Sequence, residues 1–238
     1  MKALILNSGV GKRMGDLTRE RPKCLVSLKE GETVLSRQVE ILLDNSIREI
    51  IITTGPFQEQ IRVHLEERFP GVNFTYVHNP LYENTNYIYS LLLAKDFLED
   101  ELILMHGDLV FAPGLLKKTL EFAHANTVLV NPHVELPEKD FKARIQEGRV
   151  REISVNIFGK DCYFLIPLYK LSPGFTRSWF AEMERFAEAG KLKVYAEDAL
   201  NGILAENHLY PLYFSGELCS EIDNGTDLEK VRKLLAAQ

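Results

Sequence analysis

The stretch KALILNSGVGKRMGDLTRERPKCL, residues 2–25, decides the fold of this chain. Its first part, residues 2–7, is short and apolar and stops before a glycine loop, which predicts a fully buried β-strand. Gly9 and Gly11 open that flexible loop. Five cations fall within residues 12–23, although the whole chain has a formal net charge of -6. A basic, glycine-rich loop directly after a buried strand predicts a site for an anionic ligand.

Four buried strands alternate with three helices in the part of the chain that starts with this stretch. After the first strand, strands are predicted around EIIITTG, NFTYVHNP and ELILMHGD. Helices are predicted around TVLSRQVEILLDN, FQEQIRVHLEERF and NYIYSLLLAKDFL. This alternation is typical of a mainly parallel sheet with helices on both faces. The predicted fold class is therefore α/β, Rossmann-like, with a mixed and mainly parallel central sheet.

The regular alternation of strands and helices stops in the second half of the chain. TVLVNPHVEL, ARIQEGRVREISV and CYFLIPLYKL read as strands without long helices between them. Helices are predicted at about 177–189 and 198–206, followed by a strand that Pro211 interrupts and therefore places at a sheet edge. The last helix begins TDLE, which predicts a capping box of Thr226 and Glu229.

The domain organisation follows from this order of elements. The sequence contains no internal repeat, low-complexity tract or clear linker. We predict a single domain, residues 1–238, in which a substrate-binding lobe of added strands and helices lies within about 125–215.

Composition excludes several classes of protein. The chain has 238 residues, 45% hydrophobic and 26% charged, which suits one globular unit with a sizeable core. Its negative net charge argues against nucleic-acid or anionic-membrane binding, and no apolar stretch approaches the roughly 20 residues that span a bilayer. Cys24, Cys162 and Cys219 lie far apart without CxxC or zinc spacing. Reduced thiols and a cytoplasmic location are the prediction.

Two common phosphate-binding motifs do not fit the glycine loop. The dinucleotide fingerprint would need a glycine at Met14, and the P-loop would need a glycine at Leu6 and Ser or Thr at Arg13. Glycines still let backbone N–H groups turn toward an anion, while Arg13 and Lys23 can add a planar and a point charge. A solvated basic loop without a ligand is the alternative, but the buried strand before the loop favours phosphate binding.

Residues 7–25 resemble the signature G-x-G-[ST]-R-(x)n-P-K of nucleoside-triphosphate transferases, the nucleotidylyltransferases. The segment departs from the pattern at Asn7–Ser8, where the family often has two alanines, and at Lys12, where it often has Ser or Thr. The resemblance implies the GT-A-like nucleotidyltransferase form of the fold and Mg²⁺ as cofactor. The nucleotide-binding residues that it implies are Asn7, Ser8, Gly9, Gly11, Lys12, Arg13, Asn86, Ser90 and Gly107.

The same resemblance implies catalytic roles for Arg13, Lys23 and Asp108. Arg13 would stabilise the leaving pyrophosphate, and Lys23 would bridge the nucleotide and the attacking phosphate. Asp108, at the end of the fourth predicted strand, and Asp223, before the last helix, would hold Mg²⁺. Open parallel sheets bind ligands beyond the carboxyl ends of their strands, which agrees with the position of Asp108. The alternatives are that Asp108 caps the turn after Gly107 and that Asp223 caps the last helix.

A narrower resemblance comes from NPLYENTNYIYSLLLA, residues 79–94. This segment is similar to the N-x-x-Y-x-x-x-N-x-x-Y-S-L stretch of phosphocholine cytidylyltransferases, whose features 2-aminoethylphosphonate cytidylyltransferases share. The resemblance implies that CTP and a small amine-bearing phosphate or phosphonate are the substrates, because acids and aromatic rings together suit an ammonium head. The implied substrate-binding residues are Lys23, Tyr82, Tyr87, Glu197, Asp198 and Glu221. Tyr195 and Trp179 offer further aromatic faces, and Trp179 is at least as well explained as a core residue.

Two other functions stay open at this stage. A sugar-1-phosphate nucleotidylyltransferase would perform the same reaction, although the E-K-P motif common in such enzymes is absent. The second alternative is a nucleotide-binding regulatory domain without catalysis. This alternative is disfavoured because all four expected residues are present, namely Arg13, Lys23, Asp108 and Asp223. A homodimer is compatible with the sequence but not indicated by it.

Overall fold

The computed structural model describes residues 1–237 as an α/β fold. The strands are β1 (Lys2–Asn7), β2 (Ser27–Lys29), β3 (Glu32–Thr33), β4 (Ile50–Thr54), β5 (Phe74–His78), β6 (Leu102–His106), β7 (Leu109–Phe111), β8 (Thr127–Asn131), β9 (Lys142–Gln146), β10 (Arg149–Ser154), β11 (Cys162–Leu171), β12 (Tyr210–Tyr213) and β13 (Cys219–Glu221). The helices are α1 (Val34–Asp44), α2 (Gln58–Arg68), α3 (Tyr87–Ala94), α4 (Pro113–Glu121), α5 (Pro173–Glu188), α6 (Ala196–Asn201) and α7 (Gly225–Ala236). Short 3-10 helices span Lys12–Thr18, Lys23–Leu25 and Lys95–Phe97.

A nine-stranded sheet forms the centre of the molecule, in the order β10-β9-β11-β6-β1-β4-β5, with β8 paired to β11 and β12 paired to β8. The neighbours β6, β1, β4 and β5 are parallel, whereas β11 runs antiparallel to β6, β8 and β9. The predicted mixed sheet with a parallel core is therefore confirmed. β12 pairs only with β8, so the strand that contains Pro211 lies at an edge, as expected for a residue without a backbone donor.

Alternate residues of the parallel strands pack on opposite faces of the sheet. Leu4 and Leu104 join one hydrophobic cluster with helices α3, α5 and α6, whereas Ile5 and Met105 join a second cluster with α1, α2 and α4. This two-residue period is the direct consequence of strand geometry and explains why both faces carry helices. Trp179 belongs to the first cluster, where its indole N–H donates to the Ala196 carbonyl at 2.9 Å, so it is a core residue.

A third cluster attaches the last helix near the end of β6. Leu228 and Val231 of α7 pack with Val26 and Leu28 of the β2 region. The short strand β13 pairs antiparallel with β7, which follows β6 directly. This small two-stranded sheet brings the segment before α7 to the edge where the parallel strands end.

The start of α7 differs from the expectation. Its cap is Asn224, whose side chain accepts hydrogen bonds from the backbone N–H groups of Thr226 and Asp227, and Asp227 completes the capping box. The prediction of Thr226 and Glu229 was therefore wrong by two residues, because Asn224 has the extended backbone that a cap needs. Helix α5 begins earlier than predicted, at Pro173. None of the described helices is both long and apolar enough to cross a bilayer.

Candidate functional site

The candidate site lies where the parallel strands β1 and β6 end, beside the glycine loop. Gly107 follows β6 and packs directly against the end of β1. A Cβ atom at this position would overlap the side-chain oxygen of Asn7 and would lie 2.6 Å from the Leu6 carbonyl oxygen. Only glycine therefore allows the two strand ends to approach so closely, and the close approach brings Asp108 next to the loop.

Four charged residues from separate elements meet at this edge, and we refer to Arg13, Lys23, Asp108 and Asp223 as the charged cluster. The Lys23 ammonium lies 2.6 Å from Asp108 Oδ2 and 2.8 Å from Asp223 Oδ1. The Arg13 guanidinium also contacts Asp223 Oδ1, at 2.8 Å. The four residues that the sequence assigned to catalysis and metal binding are thus brought together.

The electrostatics of the cluster favour the charged forms of Lys23 and Asp108. Burial lowers the pKa of Lys23, but the two carboxylates outweigh burial and raise it above its usual value. Burial by itself raises the pKa of Asp108. The nearby Lys23 ammonium and His106 outweigh burial, so the pKa of Asp108 falls below its usual value. Asp108 Oδ1 is buried and has no hydrogen-bond partner among residues 1–237. This oxygen is free to accept a hydrogen bond from a ligand or to coordinate a metal ion.

A group of metal-ligand type adjoins the charged cluster. Donor atoms of His106, Asp108 and Glu221 all lie within 4.8 Å of one another. His106 Nδ1 is 3.0 Å from Glu221 Oε1. Burial lowers the pKa of His106, yet the hydrogen bond and the charge of Glu221 raise it to about 9, so the imidazole is cationic at neutral pH. Burial and the neighbouring Asp108 charge raise the pKa of Glu221.

The donor chemistry favours a hard divalent ion on the carboxylates rather than on His106. Mg²⁺ prefers oxygen ligands, and Asp108 presents one buried, unpartnered carboxylate oxygen. Asp223 lies near because both carboxylates contact the same ammonium. The residues present therefore fit a Mg²⁺ ion that is held by Asp108 and Asp223. A carboxylate oxygen of Glu221 lies within 4.8 Å of one of Asp108.

A first cavity of about 280 Å³ opens between the glycine loop and the charged cluster. Its wall consists of Leu6, Asn7, Gly9, Gly11, Lys12, Arg13, Pro22, Lys23, Cys24, Gly107, Asp108 and Asp223. Gly11 adopts a positive φ of 64°, which favours glycine and turns the loop around this space. Asn7 is 9% exposed, and its Nδ2 has no hydrogen-bond partner within the described chain. An unpaired donor in the wall is suited to an anionic or oxygen-rich ligand.

A second, larger cavity of about 600 Å³ shares Arg13, Asp108 and Asp223 with the first. One end is formed by the segment after β5 and by α3, where Asn79, Tyr82, Asn86 and Ser90 line the wall together with Ser8. The Asn86 side chain caps α3 by accepting the Tyr87 N–H at 2.8 Å. Ser90 is 1% exposed and bonds to Asn79 and Ser8, so it is already paired within the protein.

The other end of the second cavity combines aromatic rings with acids. Tyr87 packs against His106 with ring centroids 5.0 Å apart, and Tyr195 packs against Phe141 at the same separation. Further polar groups in this wall are Glu138, Lys139, Asp140, Asn156 and Glu221. Burial and the neighbouring Asp223 charge raise the pKa of Asp140 above its usual value.

Two predicted substrate-binding acids do not lie in either cavity wall. Glu197 is 1% exposed and sits behind Tyr87, accepting hydrogen bonds from the Tyr87 and Tyr169 hydroxyls, the latter at 2.9 Å. Asp198 is exposed, and its carboxylate caps α6 by accepting the Tyr195 N–H at 2.9 Å. The structure does not bring these two acids into the cavity walls, because a helix start turns Asp198 outward and pairing with two tyrosines holds Glu197 below the surface.

The sequence reasoning missed the segment that closes the second cavity. Residues 138–141 lie in an irregular stretch before β9, which has neither helical nor strand periodicity to draw attention. Lys142 anchors this stretch, since its buried ammonium donates to the Pro137 carbonyl at 2.5 Å and lies 4.3 Å from the Phe158 ring centroid. The signal that the sequence offered is the run Glu138–Lys139–Asp140–Phe141–Lys142, in which charged residues surround an aromatic one.

Comparisons with known proteins agree with this geometry. The nucleotidyl transferase family model matches residues 2–141. The "Bifunctional IPC transferase and DIPP synthase" of Archaeoglobus fulgidus is 29% identical over 237 residues, which cover 100% of this chain and 44% of that protein. The "2-aminoethylphosphonate cytidylyltransferase" of Lancefieldella rimae is 26% identical over 95% of this chain and 89% of that protein. This chain spans 20% to 46% of the length of the first three curated relatives that it matches.

Solved structures share the fold. The CTP:phosphocholine cytidylyltransferase from Streptococcus pneumoniae superposes with a TM-score of 0.80 at 22% identity, covering 98% of each chain. The similarity at this level of identity shows the fold alone. The solved structures therefore confirm the predicted fold class. The match of the family model to residues 2–141 confirms the predicted family.

Proposed function

Because this chain belongs to the nucleotidyl transferase family, we propose that it transfers a cytidylyl group from CTP to a small, amine-bearing phosphate or phosphonate. The observation that carries the proposal is the charged cluster. Two cations and two carboxylates from distant elements converge between two cavities. A nucleoside triphosphate and a second anion need such an arrangement, because they repel each other unless positive charge lies between them.

The proposed reaction is an in-line displacement at phosphorus. An oxygen of the acceptor phosphate or phosphonate attacks the α-phosphorus of CTP and forms a new P–O bond. The bond between the α-phosphorus and the bridging oxygen breaks, and pyrophosphate leaves with that electron pair. The acceptor oxygen is already anionic, so no proton has to be removed. Positioning and charge stabilisation therefore supply the catalysis.

The cluster residues suit distinct parts of this reaction. Arg13 is 68% exposed at the loop and can follow the departing pyrophosphate. Lys23 lies deeper, between both carboxylates, and can contact the α-phosphate and the acceptor. Asp108 and Asp223 would hold Mg²⁺, which supplies charge neutralisation at the α-phosphate when bound.

The composition of the second cavity supports an acceptor with a cationic head. Its far end combines Tyr87, Phe141 and Tyr195 with the carboxylates of Asp140 and Glu221. A cation over an aromatic face gains about 0.5–2 kcal/mol, and nearby carboxylates add to this attraction. The Lancefieldella rimae relative, which is 26% identical to this chain, is by its name a 2-aminoethylphosphonate cytidylyltransferase.

The test is pyrophosphate release in the presence of Mg²⁺. CTP, UTP, ATP, GTP and dTTP are each paired with phosphocholine, 2-aminoethylphosphonate and glucose 1-phosphate. We expect release with CTP and an amine-bearing acceptor, and its loss in Asp108→Asn. Asp44→Asn is the matched control, since Asp44 is exposed at the end of α1, outside both cavity walls.

The other outcomes decide between the alternatives. Release only with glucose 1-phosphate would keep the reaction type and overturn the cationic acceptor. No release with any pair, together with binding of Mg-CTP, would favour a nucleotide-binding domain without catalysis.

A further inference from the structure

Three polar side chains form a continuous hydrogen-bonded row behind one end of the second cavity. Asn79 Nδ2 is 3.0 Å from Ser90 Oγ, and Ser90 Oγ is 2.9 Å from Ser8 Oγ. Asn79 and Ser90 are each 1% exposed, and Ser8 is 8% exposed. Ser8 is therefore the member of the row that is nearest to a ligand in the cavity, and we call the row the Asn79–Ser90–Ser8 relay.

The direction of the first bond in the relay is fixed by the backbone. The Leu81 N–H donates to Asn79 Oδ1 at 2.8 Å, so the carbonyl side of the amide faces Leu81. The NH₂ side must then face Ser90 and also Thr85, whose Oγ1 lies 3.2 Å from Asn79 Nδ2. Ser90 Oγ consequently accepts a hydrogen bond from Asn79.

The direction of the second bond follows from the first. Ser90 is shielded from water, and Ser8 Oγ is the one acceptor that the described residues place within reach of its hydroxyl hydrogen. A buried hydroxyl without an acceptor costs about 1–3 kcal/mol, so Ser90 donates to Ser8. The Ser8 hydrogen has no partner of its own among residues 1–237, and it is available to the cavity.

We infer that Asn79 is a positioning residue which, through the Asn79–Ser90–Ser8 relay, makes Ser8 a hydrogen-bond donor to the nucleobase and thereby selects cytosine over uracil. The ring nitrogen N3 is an acceptor in cytosine and carries a hydrogen in uracil. A donor at Ser8 matches the first base and opposes the second. The inference rests on the proposed use of a cytidine nucleotide whose base lies beside Ser8 in the second cavity, and it adds the group that distinguishes this nucleotide from a uridine nucleotide.

The test reverses the direction of the hydrogen bonds in the relay and keeps the shape of the side chain at position 79. In Asn79→Asp, one carboxylate oxygen still accepts the Leu81 N–H, and the other replaces the donor with an acceptor. Ser90 would then donate to the aspartate, Ser8 would donate to Ser90, and Ser8 would offer the cavity a lone pair. We expect the ratio of CTP affinity to UTP affinity, measured by calorimetric titration with Mg²⁺ at pH 8, to fall by roughly 10- to 100-fold. Because the new charge weakens both nucleotides alike, it cancels in the ratio.

A second variant keeps the inference testable if the aspartate unfolds the protein. Ser90→Ala breaks the relay without adding charge and leaves the Ser8 hydroxyl free to rotate, so the affinity ratio should move toward one without inverting. Thermal unfolding of each variant shows whether it is folded.

The outcomes separate this inference from the proposed function. If the unmodified protein binds neither nucleotide, the proposed function is overturned and the relay with it. If it prefers CTP and both variants keep that ratio, the relay alone is overturned and the proposed function stands.

Discussion

Lys23 connects two carboxylates that would otherwise repel each other. Its ammonium is hydrogen-bonded to Asp108 and Asp223, and the side chain is only 14% exposed. Buried charges are tolerated when they are paired, and removing one partner leaves the rest uncompensated. A single ammonium therefore serves the assembly of the site as well as its chemistry.

Replacing Lys23 with methionine should abolish most turnover. The side chain keeps most of its length, but the charge that we propose to lie between the nucleotide and the acceptor is lost. We expect pyrophosphate release to fall about 100- to 1000-fold, the usual effect of losing one preorganised charge contact. Lys95→Met is the control, since Lys95 is exposed and pairs with Glu184 away from both cavities. Near-normal turnover in Lys23→Met would contradict the role given to this residue.

Gly107→Ala should destabilise the fold as well as the site. The new methyl group would overlap the Asn7 side chain, and overpacking of this kind costs about 1–3 kcal/mol. In a chain of this size the melting temperature falls by roughly 2–4 °C for each kcal/mol, which thermal denaturation measures. Gly114→Ala is a matched control because nothing lies within 4 Å of its added methyl group. Equal melting temperatures for the two variants would argue against the close contact.

At the scale of elements, helix α7 holds Asp223 at the site. The Asp227 carboxylate accepts the N–H of Asp223 at 3.0 Å, and Asn224 caps the helix in the next position. The sheet of β7 and β13 fixes the other side of this segment. One metal-ligand candidate thus depends on a helix start and a two-stranded sheet.

Asn224→Ala should lower the stability of the protein by about 1 kcal/mol, within a usual range of 0.5–2 kcal/mol for a lost cap. Chemical denaturation measures this difference as a shifted midpoint. Thr226→Ala is the informative control because the sequence indicated Thr226 as the cap, whereas the structure leaves its side chain exposed. A larger loss for Thr226→Ala than for Asn224→Ala would restore the sequence-based assignment.

The elements of the first half could be predicted because each carries its own periodicity. The glycine loop was equally accessible, since its glycines and cations are contiguous. The Asn79–Ser90–Ser8 relay was not, because it depends on distances between residues that only the folded sheet and α3 bring together. The same reason hid the outward orientation of Asp198 and the tyrosine-bound position of Glu197.

At the scale of the whole molecule, the added strands are continuous with the parallel core. β11 pairs with β8 along one edge and with β6 and β9 along the other, and the first hydrophobic cluster runs from Leu4 to Leu209. Shared strands and a shared core favour cooperative unfolding. We therefore expect the chain to behave as one domain.

Calorimetry of two core variants tests this expectation. Leu65→Ala in α2 and Leu200→Ala in α6 each empty a fully buried site, which costs about 2–5 kcal/mol. Each variant should lower the midpoint temperature of the same single unfolding transition. Two transitions that respond separately to the two substitutions would instead divide the chain into two units.

Lys23 and Asp223 are hydrogen-bonded although 200 positions separate them in the chain. A ribosome that adds roughly 5–20 residues per second needs on the order of 10–40 s to deliver the aspartate after the lysine. During that interval the nascent chain carries the basic loop without one of its two carboxylate partners. The segment that carries Asp223 therefore completes the charged cluster, and a nascent chain that has not reached this segment has no assembled cluster to contact an anionic ligand.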